Sequence, residues 1–412
     1  MDREPLQFEA SGPFFIEKTL RGRCGAAKIL YFPRAQYYNI MGIPGISRDS
    51  KMHSGKRTVF MIHKMGIIGF GGMGEYHFSC ISERLRDCVE VKGVFDVREE
   101  RQQHALERGL LAYGSREALL SDPEIDLVLV ATPNNFHKEI SIDVLRHGKN
   151  CVCEKPVTLN SDELREIIAT ADETGKVFTV HQNRRWDRDY RIIREIVNSG
   201  VIGKPYMVES RVQGSKRVLQ EWRGRKENGG GMIYDWGIHI LDQVMWLDKS
   251  KVKEVYADTF SIFTDEVDDN FKAIVKFESG LNAMLQVDTN CFINQPRWHL
   301  LCEDGTAVIT DWACNGKIVK LADDKDLGWD SVIVYTEAGP TRTMAPRPRE
   351  TTEELPLPDV KTDWCEFYRN VTATIEGREE LIVKHEESLR VMNVIDALFE
   401  SARTGKSVTV NI

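Results

Sequence analysis

Six consecutive residues, Gly69-Phe70-Gly71-Gly72-Met73-Gly74, constrain this chain more than any other stretch. They follow a short apolar run, Met65-Gly66-Ile67-Ile68, and open a segment that can be helical. The next apolar run, Val89 to Phe95, ends on an acid, Asp96. That is the order of a dinucleotide-binding β-α-β unit. Gly69 permits a tight turn, Gly71 lets backbone approach a pyrophosphate, and Gly74 lets the helix lie close on the strand. The pyrophosphate is then held by unpaired N–H groups at the helix N-terminus. Asp96 is placed to accept from the adenosine ribose hydroxyls, which selects NAD. Arg98, two residues on, could neutralise a 2′-phosphate, so NADP stays the second choice. The bland alternative is a glycine-rich loop with no ligand.

From Met65 the pattern alternates strand and helix. Strands are expected near 65–69, 90–96, 126–132, 151–154 and 177–182, with helices over 75–86, 98–108, 135–147 and 161–174 between them. Continuous apolar strands such as Ile125 to Ala131 argue for a parallel sheet covered on both faces. After about residue 186 the runs at 206–212, 254–260, 271–277 and 281–287 alternate apolar and polar residues. Period two means strands with one buried face. Glu278-Ser279-Gly280-Leu281 reads as a hairpin turn. Residues 323–356 read as long surface loops, and helices near 360–376 and 385–403 close the chain, with Gly405 as a stop. The fold class is therefore α/β: an N-terminal Rossmann domain over 61–186, then an α+β domain over 187–412 with a large, mostly antiparallel open sheet. Residues 1–60 show no sustained period and read as a poorly ordered or non-essential extension. A chain starting near Met61 is expected to fold and stay active.

Composition narrows the setting. The net charge of −8 argues against a nucleic-acid surface. There is no apolar run of about 20 residues, so no membrane helix is expected. The nine cysteines show no C-x-x-C pair, and Cys151 and Cys153 read as small core hydrophobes rather than metal ligands. A reducing compartment, the cytoplasm, is the expected location.

Three further motifs stand at telling places. They are Ala131-Thr132-Pro133-Asn134-Asn135-Phe136-His137, the stretch Gly148 to Pro156 with Glu154-Lys155-Pro156 at its end, and Gly229-Gly230-Gly231 leading to Asp235 and His239. The first two follow parallel strands, and ligands bind outside the carboxyl ends of such strands. In this order the motifs resemble the glucose-fructose oxidoreductase / inositol dehydrogenase / rhizopine-catabolism (Gfo/Idh/MocA) family over residues 65–412. The resemblance implies that Gly69–Gly74, Asp96, Arg98, Thr132, Pro133, Asn134, His137, Glu154 and Lys155 hold the cofactor. It implies that Lys155 lies between nicotinamide and substrate, and that Asp235 and His239 complete the catalytic group. It places substrate-pocket residues in His181-Gln182-Asn183-Arg184-Arg185-Trp186-Asp187, which makes Asn183, Arg185, Trp186 and Asp187 candidates, and it suggests a cis peptide at Pro156. Trp222, Arg223 and Trp236, with Asp235 and His239, are further candidates to line the cavity. The same tryptophans could instead be interdomain core.

The residue chemistry agrees with that reading. Asp235 and His239 are four apart, so a helix would set them on one face, one turn from each other. Alcohol oxidation needs a base for the hydroxyl proton, and a histidine steadied by a carboxylate suits it. Lys155 can polarise the oxygen. The plainer reading is a structural histidine, a locally paired Asp235 and a solvated Lys155. A metal site on Asp235 and His239 lacks an evident third ligand. The expected activity is NAD(P)-dependent oxidation of a secondary hydroxyl of a sugar, cyclitol or glycoside, including a C3 hydroxyl. Two alternatives stand beside it: a redox-neutral cycle on tightly bound NAD, and a non-catalytic nucleotide sensor. The expected partners are a small carbohydrate and further copies of the chain, as a dimer or tetramer.

Overall fold

Continuous apolar strands become one parallel sheet, and alternating strands become a second, mixed sheet. The computed structural model describes residues 61–322, 333–342 and 347–412. The N-terminal extension lies outside the described residues. In chain order the first part runs β1 (His63–Ile68), α1 (Gly72–Arg84), β2 (Val89–Phe95), α2 (Glu99–Glu107), β3 (Leu111–Ala112), α3 (Arg116–Leu120), β4 (Leu127–Val130), α4 (His137–Arg146), β5 (Asn150–Cys153), α5 (Ser161–Thr174) and β6 (Phe178–Val180). All strand pairs here are parallel, in the order β3-β2-β1-β4-β5-β6. Every residue of β4 and β5 is buried, as a doubly covered sheet requires. Cys151 and Cys153 are among them, and every described cysteine is free. The chain leaves β1 in one direction for β2 and returns on its other side for β4. That reversal puts a crevice at the carboxyl ends of β1 and β4.

The second part adds α6 (Arg188–Ser199), β7 (Pro205–Gln213), α7 (Ile238–Leu247), β8 (Val252–Phe260), β9 (Asn270–Phe277), β10 (Asn282–Asp288), β11 (Trp298–Cys302), β12 (Gly305–Ile309) and β13 (Gly316–Leu321). Then come β14 (Ile333–Thr336), β15 (Gly339–Arg342), β16 (Thr352–Leu355), α8 (Cys365–Ile375), α9 (His385–Thr404) and β17 (Val408–Thr409). The nine-stranded sheet has the order β16-β13-β12-β11-β7-β10-β9-β8-β17, antiparallel except for β7 against β10. Phe271, Ala273, Val275 and Phe277 of β9 face inward and are buried, while Lys272 and Ile274 face out. Helix α9 packs on β8, α7 on β10 and α6 on β11. Gly405 follows α9 at φ 66°, where the sequence puts the stop. No described helix is long and apolar enough to cross a membrane.

Two expectations need correction. The described part of 323–356 holds strands rather than loops alone: β14 and β15 form a hairpin, and β16 joins the edge of the large sheet beside β13. The edge is matched by charge, not by apolar alternation. Glu354 meets Lys317 at 2.7 Å and Glu353 meets Lys320 at 3.7 Å across the pair. Helix α8 begins at Cys365, not near 360, because the Asp363 carboxylate accepts the Cys365 N–H at 2.9 Å.

Candidate active site

The carboxyl ends of β1, β4 and β5 open on a cleft of about 820 Å³. Gly69, Gly71, Gly72 and Met73 line one wall, with Asp96 and Arg98 beyond them. Thr132, Pro133, Asn134, His137, Glu154 and Lys155 line the floor, and Trp222, Arg223 and Asp235 face them. Two glycines are enforced by close approach. A Cβ on Gly69, at φ +94°, would lie 2.6 Å from the Ala131 carbonyl oxygen, and one on Gly74 would lie 2.2 Å from that of Gly69. A Cβ on Gly71 or Gly72 would meet nothing within 4 Å, so the backbone there is bare toward the cleft. The Thr132 hydroxyl is buried with no partner among the described residues. A bare glycine turn at the start of α1 and an unpaired hydroxyl below it fit a dinucleotide pyrophosphate.

Other cofactor candidates shape the walls. Phe70 is buried, and its N–H donates to Asp96 Oδ2 at 2.7 Å. Asp96 Oδ1 accepts from the Arg98 N–H at 2.9 Å, so this carboxylate also fixes the loop. His137 turns one ring nitrogen to the Pro156 carbonyl (2.8 Å) and the other to that of Thr132 (2.9 Å), which ties two strand ends together. Asn134 donates to the Gly229 carbonyl at 2.7 Å and joins the floor to the triple glycine. The Lys155–Pro156 peptide is cis.

Lys155 and Asp235, 80 residues apart, meet at the cleft. The ammonium donates to Asp235 Oδ1 and to the Asp235 carbonyl, each at 2.9 Å. Arg223 Nε stands 3.8 Å from the other carboxylate oxygen. Burial pushes the Asp235 carboxyl up, but Lys155, helped by Arg223 and Arg184, holds it below the usual carboxylate range. His239 is buried, and its Nδ1 has no partner among the described residues. Burial, then the charges of Lys155 and Arg184, drive its pKa well below 6.5, so the imidazole is neutral.

The expected alliance of Asp235 with His239 does not form. Among the described residues no hydrogen bond or ion pair joins them. Residues Ile233–Gly237 make a π-helical turn, with the Ile238 N–H reaching back to the Ile233 carbonyl. The carboxylate goes to Lys155 instead.

The candidates in 181–187 divide. Arg185 is 1% exposed and spends its guanidinium on Asp242 (2.8 and 2.7 Å) and Glu387 (2.6 Å). Trp186 is 3% exposed and donates to Glu366 at 2.7 Å. Both are structural clamps rather than free binding groups. Asn183 and Asp187 are half-buried, and Asp187 pairs with Arg184 at 2.9 Å. Burial pushes the Asp187 carboxyl up despite that guanidinium. Arg223 lies over Trp222, 4.4 Å from its centroid. Trp236 stacks under Arg184 at 4.2 Å and packs edge-on to His239 at 5.7 Å.

Sequence reasoning missed two groups. Trp312, on the loop after β12, packs 5.7 Å from Trp236. A buried network also stands behind the floor. Glu154 Oε1 faces His77 Nε2 at 2.7 Å and His181 Nδ1 at 2.9 Å, and Tyr368 pairs with His77 Nδ1 at 2.6 Å. His77, Glu154 and His181 have the composition of a metal site. Yet both histidines address one oxygen at hydrogen-bond distance, which leaves no gap for an ion between them. His181 stood in a quoted motif. His77 and Tyr368 carry no local signal.

Comparison with known proteins places this arrangement. Residues 63–182 match the family model described as oxidoreductase family, NAD-binding Rossmann fold, and 190–308 match the GFO/IDH/MocA C-terminal domain. An NAD-binding protein of known structure from Listeria innocua is 41% identical, with a TM-score of 0.81 over 85% of this chain and 99% of that one. A scyllo-inositol 2-dehydrogenase (NADP(+)) of Bacillus subtilis is 27% identical over 86% of this chain and 97% of its own. A myo-inositol 2-dehydrogenase of Thermotoga maritima is 28% identical over 53% of this chain and 66% of its own. The protein is thus an NAD(P)-dependent oxidoreductase with a Rossmann cofactor domain. Within that class, the chain belongs to the Gfo/Idh/MocA family.

Proposed function

We propose that this enzyme oxidises a secondary hydroxyl of a cyclitol, sugar or glycoside at the cleft floor. The observation that carries the reading is the Lys155 ammonium, fixed by Asp235 at 2.9 Å beside the glycine-walled cleft. The two inositol dehydrogenases among the relatives support the substrate class. The nicotinamide, when bound, supplies the acceptor for hydride. Lys155 donates to the reacting oxygen and stabilises charge as the proton leaves. Asp235 orients Lys155. His239, neutral and with a buried Nδ1 that has no partner among the described residues, takes the proton. A spectrophotometric screen of inositols, sugars and glycosides with NAD and NADP tests the reading. Reduction of neither cofactor by any polyol would refute it.

His239 sets the pH dependence. Its pKa lies below 6.5, so the proton-accepting form persists as pH falls through 6.5. The acid limb of kcat/KM is expected below that value, and His239→Ala should abolish the limb with most of the turnover. A limb centred at or above 6.5 would remove His239 from the role.

Asp96 is proposed to read the adenosine ribose. Asp96→Ala loosens the loop as well, since Phe70 and Arg98 lose their acceptor. Both cofactors should therefore bind more weakly. The informative quantity is the NADP-to-NAD ratio of kcat/KM, expected to rise about tenfold. An unchanged ratio would leave Asp96 a purely structural part.

A further inference from the structure

Glu154 is a buried carboxylate, 4% exposed, at the cleft floor. Oε2 accepts from the Lys155 backbone N–H at 3.0 Å, and Oε1 faces His77 and His181. Burial lowers the His77 pKa and keeps the Tyr368 phenol protonated, so the phenol donates to His77 Nδ1 and the one imidazole proton sits on Nε2, toward Glu154. His181 Nε2 is buried with no partner among the described residues. Burial pushes the Glu154 carboxyl up, but His181 and His77 hold it well below the usual carboxylate range, so it is ionised. The adjacent Lys155 ammonium is committed to Asp235. Among the described residues no lysine or arginine side chain hydrogen-bonds Glu154. A buried, ionised carboxylate with no lysine or arginine partner gains when a cation arrives.

We propose that Glu154 is the fixed countercharge for an oxidised nicotinamide ring, so that the cleft holds the oxidised dinucleotide in preference to the reduced one. The inference rests on the cleft being the dinucleotide site. An oxidised nicotinamide carries a formal positive charge and the reduced ring carries none, so a buried anion at the floor tells them apart by charge alone. The network then has a task that no single member explains. His77 and His181 hold the carboxylate ionised and aimed, and Tyr368 braces His77 from behind.

Fluorescence and calorimetric titration of the whole protein tests this without turnover. The probes are NAD+, NADH and benzamide adenine dinucleotide, whose ring is flat like nicotinamide but uncharged. The wild type is expected to bind NAD+ about tenfold or more tighter than the uncharged analogue. Glu154→Gln is expected to remove most of that gap by weakening NAD+ while the Kd for NADH holds. Equal weakening of NAD+ and NADH in the variant would overturn the inference and leave Glu154 a positioning group. So would a wild type that binds the analogue as tightly as NAD+, a result that needs no variant to fold. A wild type that binds none of the three would overturn the cofactor cleft itself, and this inference with it.

Discussion

Lys155→Met is expected to cut turnover by about 10³-fold or more, with dinucleotide affinity within a few-fold of the wild type. The methionine keeps most of the side chain's volume and loses only the charged head. Two effects then act together. The reacting oxygen loses its one ammonium donor, and Asp235 loses the cation that holds its carboxyl below the usual range. The Asp235 carboxylate would keep Arg223, at 3.8 Å, and the charge of Arg184. The glycine turn, Asp96 and Thr132 are untouched, so cofactor binding should survive. Steady-state kinetics on the best polyol, with cofactor titration alongside, separates the two readouts. Turnover within tenfold of the wild type would show that Lys155 is not in the chemistry.

Arg185→Ala should cost about 3–5 kcal/mol of folding stability, since it strands carboxylates that the guanidinium now neutralises. Asp242 is 2% exposed in its side chain and Glu387 22%, so neither recovers full hydration. Asp242 lies on α7 and Glu387 on α9, so one side chain joins both helices to the segment after β6. Glu387 retains Lys249, which spares part of the loss. Urea denaturation measures the change. A variant that kept its stability and showed only a raised KM would return Arg185 to the substrate pocket.

These two residues show what the sequence could and could not reveal. The glycine turn at Gly69 and Gly74 and the strand-end positions of Asp96 and Lys155 were legible because each is a local feature of the chain. The parallel sheet was legible from unbroken apolar runs, and the large sheet from strict alternation. Arg185 misled because a motif gives a position in the chain and not the direction of a side chain. It sits two residues from Asn183 yet turns away into the core. The pairing of Asp235 failed for a related reason. A spacing of four puts two side chains on one face but does not say which partner each takes, and Asp235 takes one from 80 residues away. The Glu154 network was invisible because His77, His181 and Tyr368 come from α1, the end of β6 and α8, and only the folded chain brings them together. Strand β16 escaped because its middle residues, Glu353 and Glu354, meet lysines and leave only Leu355 as an apolar match to Ile318.

The π-helical turn at Ile233–Gly237 makes this stretch unusually intolerant of gains or losses in chain length. Each residue advances a helix by about 100°. One codon fewer between the triple glycine and the histidine would swing the aspartate away from its lysine, and one more would do so in the opposite sense. Surface hairpins elsewhere can lengthen without moving anything that matters. In divergent descendants of this enzyme, insertions should therefore collect in the strand connections and leave this short interval at its present count.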